Sequence, residues 1–295
     1  MRIALVAYPH TRPFLIEVLT ATAKVLQSWG HDVFETPAPG APGTTLEIIF
    51  GAGFRANDIP LWPKRTDRKC IYINWDPLPQ TKEHLKEERR EYALTELGEV
   101  AGRVNGIMCV SYENVAIGKA HTKSLGIDID LSFLPIGYHE SFDHSDLILP
   151  QVNDAFFFGL LSKRRTGLLK RIEQQVRVVR TQSLFGKERD RIIAQSKINL
   201  NLHATDHPVS FGVRVPVMFL SSGRFFVSEP MKWWNPLVDG KHYVVWDGRD
   251  ETLFKRLLAD DGLRAKIGNQ GREWIRSELR YEVVLKRSLN ELGVL

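Results

Sequence analysis

The chain has 295 residues and a net charge of +5, and 43% of its residues are hydrophobic and 25% charged. This composition is typical of a soluble protein with one large domain or two ordinary ones. No apolar run is long enough to span a membrane, and MRIALVAYPH has too short an apolar core for a signal peptide. We therefore expect a cytoplasmic protein. The modest basic excess permits an anionic ligand or a nucleic acid as partner without requiring one.

Short apolar runs alternate with longer amphipathic ones, which favours an α/β fold with largely parallel sheets. RIALVAY is the first predicted strand. A helix is predicted over PFLIEVLTATAKVLQSWG, where Phe14, Val18, Ala21 and Val25 recur near helical spacing and Gly30 marks the end. Further strands are predicted in HDVFET, LEIIF, KCIYIN, GIMCVSY and IDLSFLPIGY, with helices after KCIYIN and GIMCVSY.

The stretch HESFDHSDLILPQVND contains acids and proline without a helical period, and it is the predicted linker. A second α/β series follows, with strands in AFFFGL, VRVVRTQSLF, INLNLHA, RFFVSEP and HYVVWD and helices between them. The chain is therefore predicted to form two Rossmann-like domains, 1–145 and 152–279. The final helix, 280–295, carries Tyr281, Leu285 and Leu289 on one face, which needs a partner surface.

Several motifs with known chemistry are absent from the sequence. There is no Gly-x-Gly-x-x-Gly after the first strand, no Walker loop, no Gly-x-Ser-x-Gly and no His-Glu-x-x-His. Cys70 and Cys109 lie in apolar runs without zinc-type spacing, so they are predicted to be buried thiols. These absences argue against a dinucleotide site, a P-loop, a serine hydrolase and a zinc enzyme.

Basic residues cluster where a strand meets a helix in FFFGLLSKRRTGLLKRI. Ser162, Lys163, Arg164 and Arg165 lie at the predicted helix start, where free N–H groups and the positive end of the helix dipole favour a phosphate. The planar guanidinium of arginine also matches phosphate oxygens. A solvated basic turn explains the same spacing equally well.

A second candidate anion site lies in INLNLHATDHPVSFGVRVPVMFLSSGRFFVSEP. Pro216 and Gly223 are placed to start and end a short helix. Arg214 stands at its start, with His203 and His207 upstream, and strand ends and helix starts are where α/β proteins bind ligands. The phosphate interpretation is favoured for Arg214, whereas a structural histidine at a strand end remains the commoner outcome for His203.

These stretches resemble the second domain of GT-B glycosyltransferases, of the glycosyl transferases group 1 type found in CgeB-like (spore-maturation-type) proteins. The similarity covers most of the chain and is strongest over residues 156–275. It is carried by FFFGLLSKRRTGLLKRI, SLFGKERDRIIAQSKINLNLHA, RVPVMFLSSGRFFVSEP and LVDGKHYVVWDGRDETLFKRL. In the first half, VSYENVAIGKAHTKSLGI and FLPIGYHESF are also similar to the family.

The resemblance implies a GT-B fold with a cleft between the two domains and a final helix, 280–295, that crosses back to domain 1–145. It also implies a UDP- or GDP-type sugar donor bound by domain 152–279, with no cofactor and no metal. The donor would meet phosphate-side and sugar-side residues: Gly159, Ser162, Arg164, Arg165, His203, Arg214, Ser222, Gly223 and Glu229. Glu229 would lie near the sugar or the ribose.

Related retaining enzymes often carry two glutamates around the short helix, and this sequence has a carboxylate at neither position. Val217 and Met218 stand at one of them, and Val209 or Ser210 stands at the upstream one. The stereochemical outcome is therefore open. An inverting enzyme needs a general base to take the proton of the attacking hydroxyl. The candidate bases in the first domain are His10, which follows the first strand, and the carboxylates Asp76 and Asp58.

The acceptor also has alternatives. The basic stretches KEERREY and VRVVR and the pair Trp233–Trp234 are compatible with a hydroxymethylated base in phage DNA, which would have to leave the base stack. A saccharide, a lipid-linked sugar or a small molecule fits the same residues. The missing glutamates also allow a catalytically degenerate GT-B-like module that binds a nucleotide or a partner without turnover.

Overall fold

The computed structural model describes residues 1–51, 67–75, 78, 90–182, 184–204, 211–231 and 234–295. Their contacts divide the chain into two compact units. The first unit is Met1–Pro135 with Tyr281–Leu295, and the second is Ile136–Arg280. No helix in these described stretches is both long enough and apolar enough to cross a membrane.

Strands and helices alternate along both units. The strands are β1 Arg2–Val6, β2 Asp32–Thr36, β3 Leu46–Phe50, β4 Lys69–Asn74, β5 Gly106–Cys109, β6 Asp130–Phe133, β7 Asn153–Phe158, β8 Val178–Thr181, β9 Ser196–Asn201, β10 Phe226–Ser228 and β11 Val244–Val245. The α-helices are α1 Arg12–Ser28, α2 Arg90–Ala101, α3 Tyr112–Ser124, α4 Lys163–Glu173, α5 Gly186–Ala194, α6 Leu253–Ala259, α7 Asp261–Glu278 and α8 Tyr281–Glu291. A 3-10 turn covers Glu140–Phe142 and a π-helix covers Val215–Leu220.

The first unit is built on a parallel sheet in the order β2-β1-β3-β4-β5-β6. Its inner strands are mostly apolar, because a parallel sheet covered on both faces buries most residues of its central strands. Ile3, Ala4, Leu5 and Val6 of β1 are all fully buried. Helix α1 follows as predicted, although Phe14 in its first turn is 59% exposed. Both cysteines are free and buried, as expected.

The C-terminal helix α8 belongs to the first unit, which agrees with the predicted crossing back. Tyr281, Leu285 and Leu289 are fully buried, so the apolar face has its partner surface there. The hydroxyl groups of Tyr281 and Thr22 lie 2.8 Å apart, and the Ser288 hydroxyl donates to the carbonyl of Phe133 at 2.9 Å. These buried polar contacts fix α8 against α1 and β6.

The second unit is built on a parallel sheet in the order β11-β10-β9-β7-β8. Its core packs side chains of the inner strands, such as Phe157, Leu200 and Val227, against helices α4 and α6. The strands predicted in RFFVSEP and HYVVWD are shorter than expected, and the predicted short helix after Arg214 is the π-helix.

The sequence pattern assigns segment 136–145 to the predicted domain 1–145, whereas the contacts of this segment are made in the second unit. The reason is a set of polar contacts that the sequence pattern does not reveal. Asp143 accepts from Arg272 of α7 at 2.9 Å, and the carbonyl of Phe142 accepts from the Ser222 hydroxyl at 3.0 Å.

Candidate nucleotide-binding site

The candidate site lies at the carboxyl ends of the strands of the second sheet. The order in which the chain adds strands to this parallel sheet reverses at β7. The next strand, β8, pairs with one edge of β7, and β9 pairs with the other edge. In doubly wound sheets, ligands bind outside the carboxyl ends of the strands at such a switch point. The loop 159–162 follows β7, His203 lies just beyond β9 and Glu229 directly follows β10.

Arg165 ties the first two of these segments together. Ser162 caps helix α4, with its hydroxyl accepting from the Arg165 backbone N–H at 3.2 Å. The Arg165 guanidinium donates to the carbonyl of Leu202 from Nε at 3.1 Å and from Nη2 at 2.9 Å, and to the carbonyl of Leu160 from Nη1 at 3.0 Å. Arg165 therefore supplies a fixed positive charge whose donors are largely committed to the backbone.

Arg164 and Glu229 form a two-pronged ion pair. The Arg164 nitrogens Nη1 and Nη2 donate to Glu229 Oε2 at 2.9 Å and Oε1 at 2.5 Å. Arg164 Nη1 also donates to the carbonyl of His203 at 3.1 Å, and Glu229 Oε2 accepts from the His203 backbone N–H at 2.7 Å. This pairing is planar and strong, and it joins the ends of β9 and β10 to helix α4.

Arg214 differs from the other arginines because no residue in the described stretches forms a hydrogen bond or an ion pair with its guanidinium. Its Cζ lies 4.7 Å from the centre of the Phe158 ring. Burial, together with the positive charges of Arg165 and Arg189, lowers the pKa of Arg214 to about 9. Arg214 is partly buried, and a cation that has lost part of its hydration beside two other cations is costly. An anion bound at this place would offset that cost.

Gly159 makes room for Arg214. A Cβ atom on Gly159 would stand 2.8 Å from Arg214 Nη2 and 3.8 Å from Arg165 Nη1. The φ angle of Gly159 is also +127°, a conformation that residues with a side chain rarely adopt. Glycine at this position therefore allows the guanidinium of Arg214 to approach the loop after β7.

Arg189 was not singled out in the sequence. It lies in helix α5 with 2% of its surface exposed, and its Cζ is 5.8 Å from the centre of the Phe158 ring, the same ring that Arg214 covers. Its Nη2 donates to Asp190 at 2.7 Å. A signal for its burial was present, because Arg189 stands four residues before Ile193 and so shares the buried face of the helix.

His203 is enclosed by the same charges. Its ring nitrogen Nε2 is buried and has no hydrogen-bond partner in the part of the chain that the structure describes. Burial is the main cause that lowers the pKa of His203 to about 4; Glu229 opposes this shift, and Arg164, Arg165 and Arg214 add to it. His203 is therefore uncharged at neutral pH.

Ser222 and Gly223 have structural contacts. The Ser222 hydroxyl donates to Phe142 and accepts from the backbone N–H of His144 at 2.9 Å. Gly223 ends the π-helix with a φ of +66°, and a Cβ on Gly268 of α7 would stand 2.4 Å from its carbonyl oxygen. Within the described residues, Ser222 and Gly223 contact segment 142–144 and helix α7, and they do not contact Arg165 or Arg214.

The π-helix starts immediately after Arg214. Its wider turns are seen in the bonds from Ser221 N to the Pro216 carbonyl at 3.1 Å and from Arg224 N to the Phe219 carbonyl at 2.8 Å. Such turns are rare and frequently lie at functional sites. Val217, one of the positions that lack a glutamate, is 3% exposed and belongs to the core.

The candidate bases lie in the first unit or outside the described stretches. His10 is exposed in the turn after β1, with its ring centre 6.1 Å from that of Tyr8. This turn is at the carboxyl edge of the first sheet, beside the switch point between β1 and β3. Asp76, Asp58, His207 and Trp233 lie outside the described residues. Trp234 packs edge-on against Phe211 at 5.5 Å.

Within the described ranges, no group of three His, Cys, Asp or Glu side chains is arranged to hold a metal ion. Arg164, Arg165, Arg189 and Arg214 supply positive charge at this site.

Neither the known protein-family models nor the curated proteins contain a match to this sequence. Solved structures do match. Anabaena Alr3699/HepE, solved with UDP and glucose, is similar over 100% of both chains with a TM-score of 0.62 and 11% identity. An alpha-glucosyltransferase, solved with UDP and a 13-mer DNA containing an HMU base, is similar over 99% of both chains with a TM-score of 0.67 and 11% identity.

The DNA-modifying enzyme beta-glucosyltransferase, studied with uridine diphosphoglucose, is similar over 99% of this chain and 100% of its own, with a TM-score of 0.64 and 13% identity. At these identities the similarity defines the fold. The predicted GT-B fold is confirmed, whereas the narrower resemblance to CgeB-like proteins stays a prediction. The chain has the GT-B fold of these glycosyltransferase structures.

Proposed function

We propose that this protein transfers a sugar from a nucleoside diphosphate sugar to a hydroxyl group of an acceptor. The observation that carries the proposal is Arg214, a partly buried cation without an ionic or hydrogen-bonding partner in the described stretches, near the switch point of the second sheet. A diphosphate has the charge that this position lacks. The GT-B fold adds support, because it is shared with sugar transferases.

In the proposed complex, the diphosphate lies between the start of helix α4 and Arg214. Arg165 and Arg189 add positive charge close to Arg214, and the start of α4 contributes the positive end of the helix dipole. Gly159 lets the phosphates and the guanidinium approach the loop after β7. Ser162 and Arg164 position this loop, while Ser222 and Gly223 hold the far end of the π-helix.

Glu229 is the proposed contact for the ribose or the sugar. Its two oxygens accept three hydrogen bonds, two from Arg164 and one from His203. A carboxylate has about four acceptor positions, so one remains for a hydroxyl group of the donor. The nucleoside is uridine or guanosine in this proposal.

The arginines also supply the catalytic electrostatics. As the bond between the sugar and the diphosphate breaks, negative charge grows on the leaving diphosphate, and a preformed cation there lowers the barrier. We propose that Arg214 is this cation and that it stabilises the leaving diphosphate without a metal ion. His10 or Asp76 would remove the proton of the attacking hydroxyl if the reaction inverts the configuration.

The acceptor proposed for the first test is a hydroxymethylated base in DNA, because two of the compared structures are DNA-modifying glucosyltransferases or were solved with DNA. The distribution of basic and acidic residues between the two units indicates which unit would attract DNA. The first unit contains 17 Lys and Arg against 18 Asp and Glu, whereas the second contains 23 against 17. A DNA acceptor would therefore be attracted mainly by the second unit.

The donor is tested by thermal unfolding with UDP-glucose and GDP-mannose. A ligand at a hundred times its Kd stabilises the folded protein by about 2.7 kcal/mol. The Arg214→Ala variant is expected to lose about 1.5–3 kcal/mol of binding free energy, the value of a charge-assisted hydrogen bond. The control is Arg249→Ala, because the Arg249 side chain is 90% exposed. Equal binding by the Arg214 variant and the wild type would refute this site.

Transfer is tested next. An enzyme hydrolyses its donor slowly without acceptor, and a non-catalytic nucleotide-binding module does not. Hydroxymethylated DNA and a saccharide mixture are then compared as acceptors at two salt concentrations, since DNA binding weakens steeply as salt rises. Donor binding without hydrolysis or transfer would favour the non-catalytic alternative.

A further inference from the structure

The backbone of His203 is hydrogen-bonded on both sides, while the Nε2 atom of its ring has no partner among the described residues. The backbone N–H donates to Glu229 Oε2 at 2.7 Å, and the carbonyl accepts from Arg164 Nη1 at 3.1 Å. The residue is 9% exposed, and its buried Nε2 bonds to no other residue in the described part of the chain. Buried polar atoms are nearly always hydrogen-bonded, so this nitrogen indicates a ligand that completes the site.

In the described part of the chain, the charges that act on His203 come from three different segments. Arg164 and Arg165 lie on helix α4, Arg214 precedes the π-helix, and Glu229 follows β10. Among the described residues, the three guanidinium groups oppose protonation of the ring and the Glu229 carboxylate favours it. Burial dominates and lowers the pKa of His203 to about 4. The free protein therefore has an uncharged imidazole beside a cluster of cations.

We propose that His203 binds the diphosphate of the donor through a ring N–H and takes up one proton from solvent in doing so, an inference that rests on the proposed function. Two causes act together. The diphosphate offsets the repulsion from the three arginines, and its oxygens accept a hydrogen bond from the protonated ring, which favours the charged form. The only chemical change in this step is the addition of one proton to a ring nitrogen.

Donor affinity is consequently linked to pH. At a pH above the pKa of the bound state, the ring is neutral before and after binding, and no proton is taken up. Between the pKa of the bound state and that of the free state, binding takes up a proton, and the affinity rises as the pH falls. Each unit by which the diphosphate raises the pKa of His203 strengthens binding by up to about tenfold.

The test is titration calorimetry of the full chain with UDP-glucose at pH 5.5 and pH 8, in buffers that differ in ionisation enthalpy. Each phosphate of UDP-glucose carries one ester bond and shares the anhydride bond between them, so neither has an ionisation that titrates in this range. UDP is avoided because its terminal phosphate titrates near pH 6. The slope of the binding enthalpy against the buffer enthalpy measures the number of protons taken up.

We expect an uptake approaching one proton at pH 5.5, little uptake at pH 8, and a loss of the uptake in His203→Gln. The matched control is His31→Gln, since burial and the N-terminal amino group also lower the pKa of His31, which lies in the other unit. This control should keep the uptake of the wild type.

UDP-glucose binding by the wild type without proton uptake at pH 5.5 overturns the inference and leaves the proposed function standing. Uptake that persists in His203→Gln overturns it as well, because another group then titrates. If UDP-glucose does not bind, GDP-mannose takes its place, and binding by neither donor overturns the proposed function and this inference with it.

Discussion

In the second unit, the Nη2 atom of Arg214 lies 2.8 Å from the point where a Cβ atom on Gly159 would stand. This approach is too close for a side chain, and the guanidinium has no neighbouring carboxylate that would allow it to move to another ion pair within the described residues. The position of the unpaired cation therefore depends on the absence of a side chain at Gly159.

The first prediction is that Gly159→Ala weakens nucleotide sugar binding. The new methyl group displaces the guanidinium of Arg214, and we expect a loss of about 1.5–3 kcal/mol of binding free energy. Calorimetric titration with the donor measures it. The control is Gly167→Ala in helix α4, where the added Cβ meets no atom within 4 Å. It should leave binding unchanged and stabilise the helix by up to about 1 kcal/mol. Unchanged binding in Gly159→Ala would contradict the proposed placement.

The second prediction separates stability from binding at Arg214. Methionine at this position keeps an unbranched side chain that ends before the guanidinium, and it removes a partly buried charge that stands beside Arg165 and Arg189. Arg214→Met is expected to raise the free energy of unfolding of the free protein by about 0.5–2 kcal/mol. Urea denaturation measures this change.

With saturating donor, the order of stability should reverse, because only the wild type gains fully from the ligand. A free Arg214→Met protein that is less stable than the wild type would show that the guanidinium is already satisfied without a ligand.

The fold could be predicted from the sequence because its physical causes are local. The apolar runs of β1 and β4 and the apolar face of α8 each reflect burial that follows from the type of element alone. Strand order, by contrast, follows from which strands pair across long stretches of chain. The assignment of segment 136–145 depends on single contacts, such as that between Asp143 and Arg272, for which no periodic pattern exists.

The candidate site was predictable only in part. The junction between strand β7 and helix α4 indicated Arg164 and Arg165. Pro216, at the start of the short helix after β9, indicated Arg214. The number of partners that each arginine has depends on tertiary structure: Arg165 donates to backbone carbonyls, Arg164 pairs with Glu229, and Arg214 has no such partner in the described residues. The spacing from Arg189 to Ile193 indicates a buried helix face, but it does not show that the Arg189 guanidinium lies over the same Phe158 ring as that of Arg214.

The third prediction concerns the pair between Arg164 and Glu229, which has a side-chain exposure of 23% for arginine and 9% for glutamate. Removal of one partner leaves the other charge uncompensated, so Arg164→Met and Glu229→Gln should each destabilise the protein. The larger cost, about 3 kcal/mol at most, is expected for Arg164→Met, because it leaves the more buried Glu229 carboxylate unpaired. The double variant should cost less than the sum, with a coupling energy of about 1–3 kcal/mol. Additive effects in urea denaturation would show that the pair does not contribute to stability.

The fourth prediction is that His203 makes the free protein sensitive to acid. The pKa of its ring is about 4 in the folded state, against an ordinary value of 6.5. As the pH falls below 6.5, the unfolded chain binds a proton at His203 that the folded protein does not bind until the pH reaches about 4. The free energy of unfolding therefore decreases across this window, and the share of His203 is about 3 kcal/mol.

The measurement is urea denaturation at several pH values between 4 and 7.5, for the wild type and for His203→Gln. Other groups also titrate in this range, so the relevant quantity is the difference between the two proteins. We expect this difference to change in favour of His203→Gln as the pH falls, since glutamine does not take up a proton. With saturating UDP-glucose, the wild type should lose less stability in acid, because the diphosphate compensates the proton on the ring. A difference that is constant with pH would mean that His203 titrates alike in the folded and unfolded chains.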